Sequence, residues 1–166
     1  MYLTPHWKYI EEVARQRLAN NKTSRHIADY GTEIETMGAA GELAARIFFG
    51  LSTELHTHFD RGTDFKWAGK NVDVKTTKLT PKLLYRFLQW PITKPIKCDI
   101  VLLTAVSVQN KSGLVVGYLT GEEMKSAAVN QDRDYPCREI PTSMLRPAWM
   151  LFASGMNTVR SQPVPA

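Results

Sequence analysis

The sequence predicts an α/β fold in a single domain, a mixed β-sheet flanked by helices. Three observations carry that expectation. Residues 63–67 and 71–77 alternate polar and apolar around the turn-forming stretch Ala68-Gly69-Lys70-Asn71, the period-two signature of a half-buried hairpin. Residues 100–108 form a near-continuous apolar run, which suits a central strand covered on both faces. Residues 35–50 are apolar nearly all round at helical spacing and dense in Gly and Ala, which suits a buried helix lying close to another backbone.

In chain order, residues 5–20 predict an opening helix whose inward stripe is Trp7, Ile10, Val13, Ala14 and Leu18. A polar linker at 21–24 leads to the buried helix at 35–50, and residues 55–59 predict the first strand of the sheet. The hairpin supplies the next two. Thr80-Pro81 reads as a helix start, with Thr at the N-cap and Pro at the first helical position, and Pro91 would close that helix. Strands are expected at 100–108 and 114–119, and Thr120-Gly-Glu-Glu123 is a capping box opening a short helix to about residue 129. Residues 149–152 add a last apolar segment. The expected organisation is one domain over 1–154, with an N-terminal helical segment at 1–30, and a flexible tail over 155–166.

Composition bounds the function. With 166 residues and 43% hydrophobic content, the chain is large enough for one proper core. No segment is long and apolar enough to span a membrane, and charge at Lys8 and Glu11 argues against a signal peptide. Cys98 and Cys137 lack metal or redox spacing and suit buried thiols in a reducing cytosol, so a cytoplasmic location is expected, the host cytosol for a phage-encoded chain. Asn71 follows Gly69-Lys70 where a phosphate-binding loop needs Ser or Thr, and no Gly-x-Ser-x-Gly elbow exists, which argues against ATPase and acyl-transfer chemistry. His56, His58 and Asp60 would share one strand face and form an alternative zinc set.

The hairpin geometry can be derived. With Gly69 and Lys70 as central turn residues, Trp67 faces Val72 and Phe65 faces Val74 on an apolar side. On the other side Lys66 then faces Asp73, and Asp64 faces Lys75. Those pairs suit an ordinary solvated surface with two cross-strand ion pairs. They equally supply two carboxylates and an ammonium to a reactive site. Glu42, on the small-residue helix, has two readings as well: an i,i+4 pair with Arg46, or a carboxylate pointing across toward the hairpin acids.

Gly38-Ala-Ala-Gly-Glu42, then Asp64, then Asp73-Val74-Lys75 resembles the PD-(D/E)XK phosphodiesterase superfamily, the restriction-endonuclease-like nucleases, over roughly residues 33–120. Thr63 stands where the motif has Pro. The resemblance implies a restriction-endonuclease-like sheet and a Mg²⁺-dependent nuclease acting on DNA, an endonuclease sooner than an exonuclease, with Mn²⁺ able to substitute. It implies Glu42, Asp64, Asp73 and Lys75 as catalytic residues. Asp64, Asp73, Glu42 and the main-chain carbonyl of Val74 become the metal donors, hard oxygens of the kind Mg²⁺ takes. Lys75, flanked by carboxylates, stays protonated and stabilises developing charge. At this size such a nuclease belongs to a phage or mobile element, or to repair or recombination. The alternatives are a non-catalytic nucleic-acid-binding module on the same fold, and a Holliday-junction resolvase, which requires a homodimer.

Charge points the same way. The chain is +5 overall, yet residues 66–97 carry Lys66, Lys70, Lys75, Lys78, Lys82, Arg86, Lys94 and Lys97 against Asp73 alone, leaving the remainder net acidic. All of these cations except Lys75 are the expected phosphate contacts, on DNA or RNA alike. Tyr85 and Trp90, interleaved among them, are the candidates for stacking on a base.

Overall fold

The computed structural model describes residues 1–20, 31–57, 62–83, 86–132 and 135–153. After a 3-10 turn at Thr4–His6 come helices α1 (Trp7–Asn20) and α2 (Gly31–Phe48), then strands β1 (Phe65–Trp67), β2 (Lys70–Lys78), β3 (Phe87–Pro91), β4 (Ile100–Ser107) and β5 (Ser112–Thr120). Helix α3 (Gly121–Ser126), strands β6 (Val129–Asn130) and β7 (Cys137–Pro141), and a 3-10 turn at Thr142–Met144 follow. A last helical turn covers 150–153.

The α/β expectation holds. A four-stranded mixed sheet runs β1-β2-β4-β5, with β2 and β4 parallel and the outer pairs antiparallel. Strand β4 is buried on both faces, as its apolar run requires. On one face Val72, Ile100 and Leu102 pack under Ala45 of α2 and Phe49 just past its end. On the other, Val101 and Leu103 meet Leu88, Trp90 and Met124. Helix α1 covers α2 through Trp7, Ile10 and Val13, while Leu18 is half-buried.

Gly41 explains how α2 comes so close to the sheet. A Cβ there would run into the side-chain oxygens of Thr76 on β2 and Thr104 on β4, which bond each other at 3.0 Å. Gly38 meets nothing within 4 Å. The Thr120 capping box forms as expected, with Thr120 Oγ1 accepting from the Glu123 N–H and Glu123 Oε2 from the Thr120 N–H. Cys98 and Cys137 are buried thiols, and Cys137 Sγ donates to Glu139 Oε1. Leu151 and Ala148 enter the core, whereas Trp149 stays 63% exposed.

Three elements differ from expectation, the smallest departure being α3, which ends at Ser126 and not near residue 129, where β6 begins. The helix opened by Thr80-Pro81 stops after a turn, and the segment continues as β3. Burial alternates there, with Leu88 and Trp90 inward, and β3 pairs antiparallel with β7 in a second sheet, β3-β7-β6. A distant partner strand overrides a local cap signal, and Thr80 Oγ1 is buried without a partner among the described residues. The strand at 55–59 does not form over residues 55–57, while His58 and Phe59 lie outside the described residues. Side chains of α1 occupy that backbone instead: Tyr9 Oη accepts from the Leu55 N–H, Arg17 Nε donates to the His56 carbonyl, and Asn20 donates to the Thr57 carbonyl. His58 and Asp60 of the zinc alternative, Tyr85, and the tail at 155–166 also lie outside the described residues. Among the described residues, no helix is long and apolar enough to cross a membrane.

Candidate active site

The hairpin closes one turn position earlier than expected. Ala68 and Gly69 are its central residues, at φ of 47° and 77°, and the register pairs Phe65 with Val72, Lys66 with Asn71 and Trp67 with Lys70. Two positive φ values make a type I′ connection, whose twist matches that of the strands. The Lys66–Asp73 and Asp64–Lys75 pairs are therefore not formed, and neither are Trp67–Val72 or Phe65–Val74. The shift is by two residues, so each side chain keeps its face. Its consequence is chemical: Asp64 now sits just before the start of β1, beside the part of β2 that carries Asp73. The Asp64 N–H donates to the Val72 carbonyl at 2.9 Å, and its Oδ2 accepts from the Val74 N–H at 2.5 Å. Val74 thus turns its polar backbone toward Asp64, where β1 has not yet begun.

The three acids and the ammonium are brought into one electrostatic neighbourhood. Burial, the nearby Asp73 charge and the Glu42 charge push the Asp64 carboxyl up to about 7, against relief from the Val74 N–H and Lys75. Asp73, only 6% exposed, is also raised by burial, with Lys75 and Lys94 opposing the shift. Lys75 forms an ion pair with Asp73, and its Nζ lies 4.2 Å from the centre of the Trp90 ring. Trp90 is 3% exposed and so belongs to the core beneath Lys75, not to a base-stacking surface.

Glu42 realises both of its readings in part. It is 3% exposed and acts on Asp64, yet its Oε1 accepts from Arg46 Nε at 3.2 Å and its Oε2 from Arg17 Nη2 at 2.6 Å. Arg46 also donates from Nη2 to the main-chain carbonyl of Asp64 at 2.9 Å and reaches the Ser52 carbonyl. Among the described residues, no group of three His, Cys, Asp or Glu side chains is gathered closely enough to form a ready metal set. The donors that fit a hard cation are Asp64 and Asp73, each with one oxygen engaged by a described donor, together with the Val74 carbonyl. Glu42 would join them only by exchanging a guanidinium for the ion.

Lys66, Lys70, Lys78, Lys82, Arg86, Lys94 and Lys97 are all exposed, as phosphate contacts must be. Lys66 shares the sheet face of Asp73 and Lys75. Arg17 was not singled out by sequence reasoning, although it falls at helical spacing on the inward stripe after Val13 and Ala14. Nothing in the chain signalled that Cys98 adjoins the site, where burial and the Asp73 charge push its thiol up to about 11. The fold and site describe an α/β protein with an acidic cluster beside one ammonium. No protein-family model, curated protein or solved structure matches the chain.

Proposed function

We propose that this chain is a Mg²⁺-dependent nuclease that hydrolyses internal phosphodiester bonds of DNA in the cytosol. The observation that carries the reading is the buried Asp64 carboxyl, whose ionisation is resisted first by burial and then by the charges of Asp73 and Glu42, while the Lys75 ammonium pairs with Asp73 alongside. Acids crowded in this way favour a divalent cation. Asp64, Asp73 and the Val74 carbonyl would hold it, with Mn²⁺ substituting, and Glu42 backs Asp64. When bound, the ion supplies charge neutralisation at the phosphate and a lower pKa for the attacking water.

The remaining work falls to side chains. Lys75, paired with Asp73 and resting on Trp90, donates to the phosphoryl oxygens as their charge grows. Arg46 fixes the Asp64 backbone and the Glu42 carboxylate relative to each other, so the acids need little rearrangement when charged. Lys94, near enough to act on Asp73, and the exposed lysines of 66–97 steer the phosphate backbone in.

The experiment is incubation with linear, supercoiled and four-way-junction DNA in Mg²⁺, Mn²⁺ or EDTA. Metal-dependent cutting that Asp73→Ala abolishes supports the reading, and no cutting under any of these conditions overturns it. A second reading, a nucleic-acid-binding module without catalysis, is favoured by the occupation of both Glu42 oxygens by guanidiniums. Retained DNA binding without cutting would establish it. Cleavage confined to junctions by a homodimer would instead identify a resolvase, and an RNA arm separates the two nucleic acids.

A further inference from the structure

A cleft of about 530 Å³ opens at the end of the four-stranded sheet where β2 and β4 begin. Trp67, Ile100, Tyr118 and Leu151 form its apolar floor. Its size falls in the range that admits a small organic unit. The walls carry Lys70, Lys97, Lys125 and Arg146 against Asp99 and Glu122. Both acids are already engaged: Asp99 Oδ2 accepts the Asn71 N–H at 2.8 Å, and Glu122 pairs with Lys125 at 2.6 Å. Arg146 lies over the Tyr118 ring at 4.8 Å and pairs with Glu123. Lys70 and Lys97 are exposed and, among the described residues, make no ion pair. An apolar floor under two uncommitted cations suits a flat ring joined to an anion.

The cleft opens at the end of the strands that carry the acidic cluster, its floor on the α2 face of the sheet and Asp73 and Lys75 on the opposite face. The Asp99 N–H donates to the Asn71 carbonyl at 2.9 Å, and Asn71 precedes Asp73 by two residues, about 7 Å of strand. Cys98, on the cleft wall, feels the charges of both Asp73 and Lys75. Lys94, which acts on Asp73, lies three residues before Lys97 in the chain. Cations therefore accompany both the acids and the cleft mouth.

We infer that this cleft receives one nucleotide of an unpaired strand, its base on the apolar floor and its phosphates on Lys70 and Lys97. The favoured substrate is then DNA with a single-stranded segment beside the cleavage point, because a base already out of the duplex enters without unstacking. The inference rests on the nuclease reading for its meaning, but its test does not depend on cutting.

Fluorescein-labelled single-stranded, tailed-duplex and blunt-duplex oligonucleotides are titrated with the whole protein in EDTA and in Ca²⁺, and anisotropy is read. The expected result is about tenfold tighter binding of the single-stranded and tailed forms than of the blunt duplex. Lys70→Glu and Lys97→Glu should each remove most of that preference and flatten the salt slope by about 0.7, while Lys8→Glu, on the exposed face of α1, leaves both intact. Equal binding of tailed and blunt forms, or equal losses in all three variants, overturns the inference. A thymidine monophosphate competitor that displaces the oligonucleotide at micromolar concentration would reassign the cleft to free nucleotides and overturn it too. A protein that keeps the strand preference but cuts nothing loses the nuclease reading and keeps the cleft. One that cuts tailed and blunt DNA alike, with or without the lysines, keeps the nuclease reading and loses the cleft.

Discussion

Arg46 and Asp64 are joined by a hydrogen bond from the guanidinium Nη2 to the main-chain carbonyl, at 2.9 Å, and the same guanidinium grips Glu42. One buried cation from α2 thereby sets the position of the loop that delivers the first hairpin acid. At 7% exposed it has few waters to replace these partners. Arg46→Met should cost about 3–5 kcal/mol and lower the melting midpoint by about 10 °C, read by calorimetry in EDTA. Adding Glu42→Leu should recover much of the loss, because the orphaned carboxylate goes with it. A mild effect of Arg46→Met alone would show that Arg17 suffices to hold Glu42.

The Asp64 shift gives stability a pH signature. Its carboxyl moves from an ordinary 3.8 to about 7 on folding, so between those values the native chain holds a proton that the unfolded chain has released. This contribution is complete below about 4 and disappears as pH rises through about 7. Asp64→Asn keeps an acceptor for the Val74 N–H and removes both the buried charge and its repulsion by Asp73 and Glu42. Its midpoint in EDTA at pH 8 should exceed that of the unmodified chain, and the gap should close toward pH 4. Mg²⁺ should raise the midpoint of the unmodified protein at pH 8 and leave Asp64→Asn unmoved. A constant gap across pH would remove Asp64 as the source.

Lys75 stands apart from the metal donors. Lys75→Ala should lower kcat by about 10²–10³ with little change in Mg²⁺ affinity, whereas Asp73→Ala should weaken the ion itself. Calorimetric titration with Mg²⁺ separates the two. Equal loss of Mg²⁺ binding in both variants would mean that Lys75 only organises Asp73.

Two glycines of α2 make opposite predictions. Gly41→Ala forces a methyl into Thr76 and Thr104 and should cost about 1–3 kcal/mol or more, lifting α2 from the sheet. Gly38→Ala meets open space and should stabilise by about 1 kcal/mol through helix propensity. Urea midpoints of the pair test both at once.

Which faces carry what was legible in the chain, because alternation in β2 survives any even shift of register. The register itself was not. It depends on Ala68 adopting a positive φ, a conformation that alanine disfavours by about 1–2 kcal/mol. Strand β3 was hidden for a related reason: Gln89 bonds Glu139, 50 positions away, and no local pattern announces that partner. Gly41 was readable as a point of close approach, whereas its companion Gly38 followed from composition and meets nothing. Arg17 lay on the right stripe, but its partner Glu42 is 25 residues further on in another helix.

Trp90 belongs to β3 and Lys75 to β2, so the ammonium rides on one sheet and rests on the other. Selection on this chain should therefore guard the packing of the three-stranded sheet as closely as it guards charge. Inactivating substitutions recovered from a random library will fall among apolar positions of β3 and β7, silent in any inventory of acids and bases.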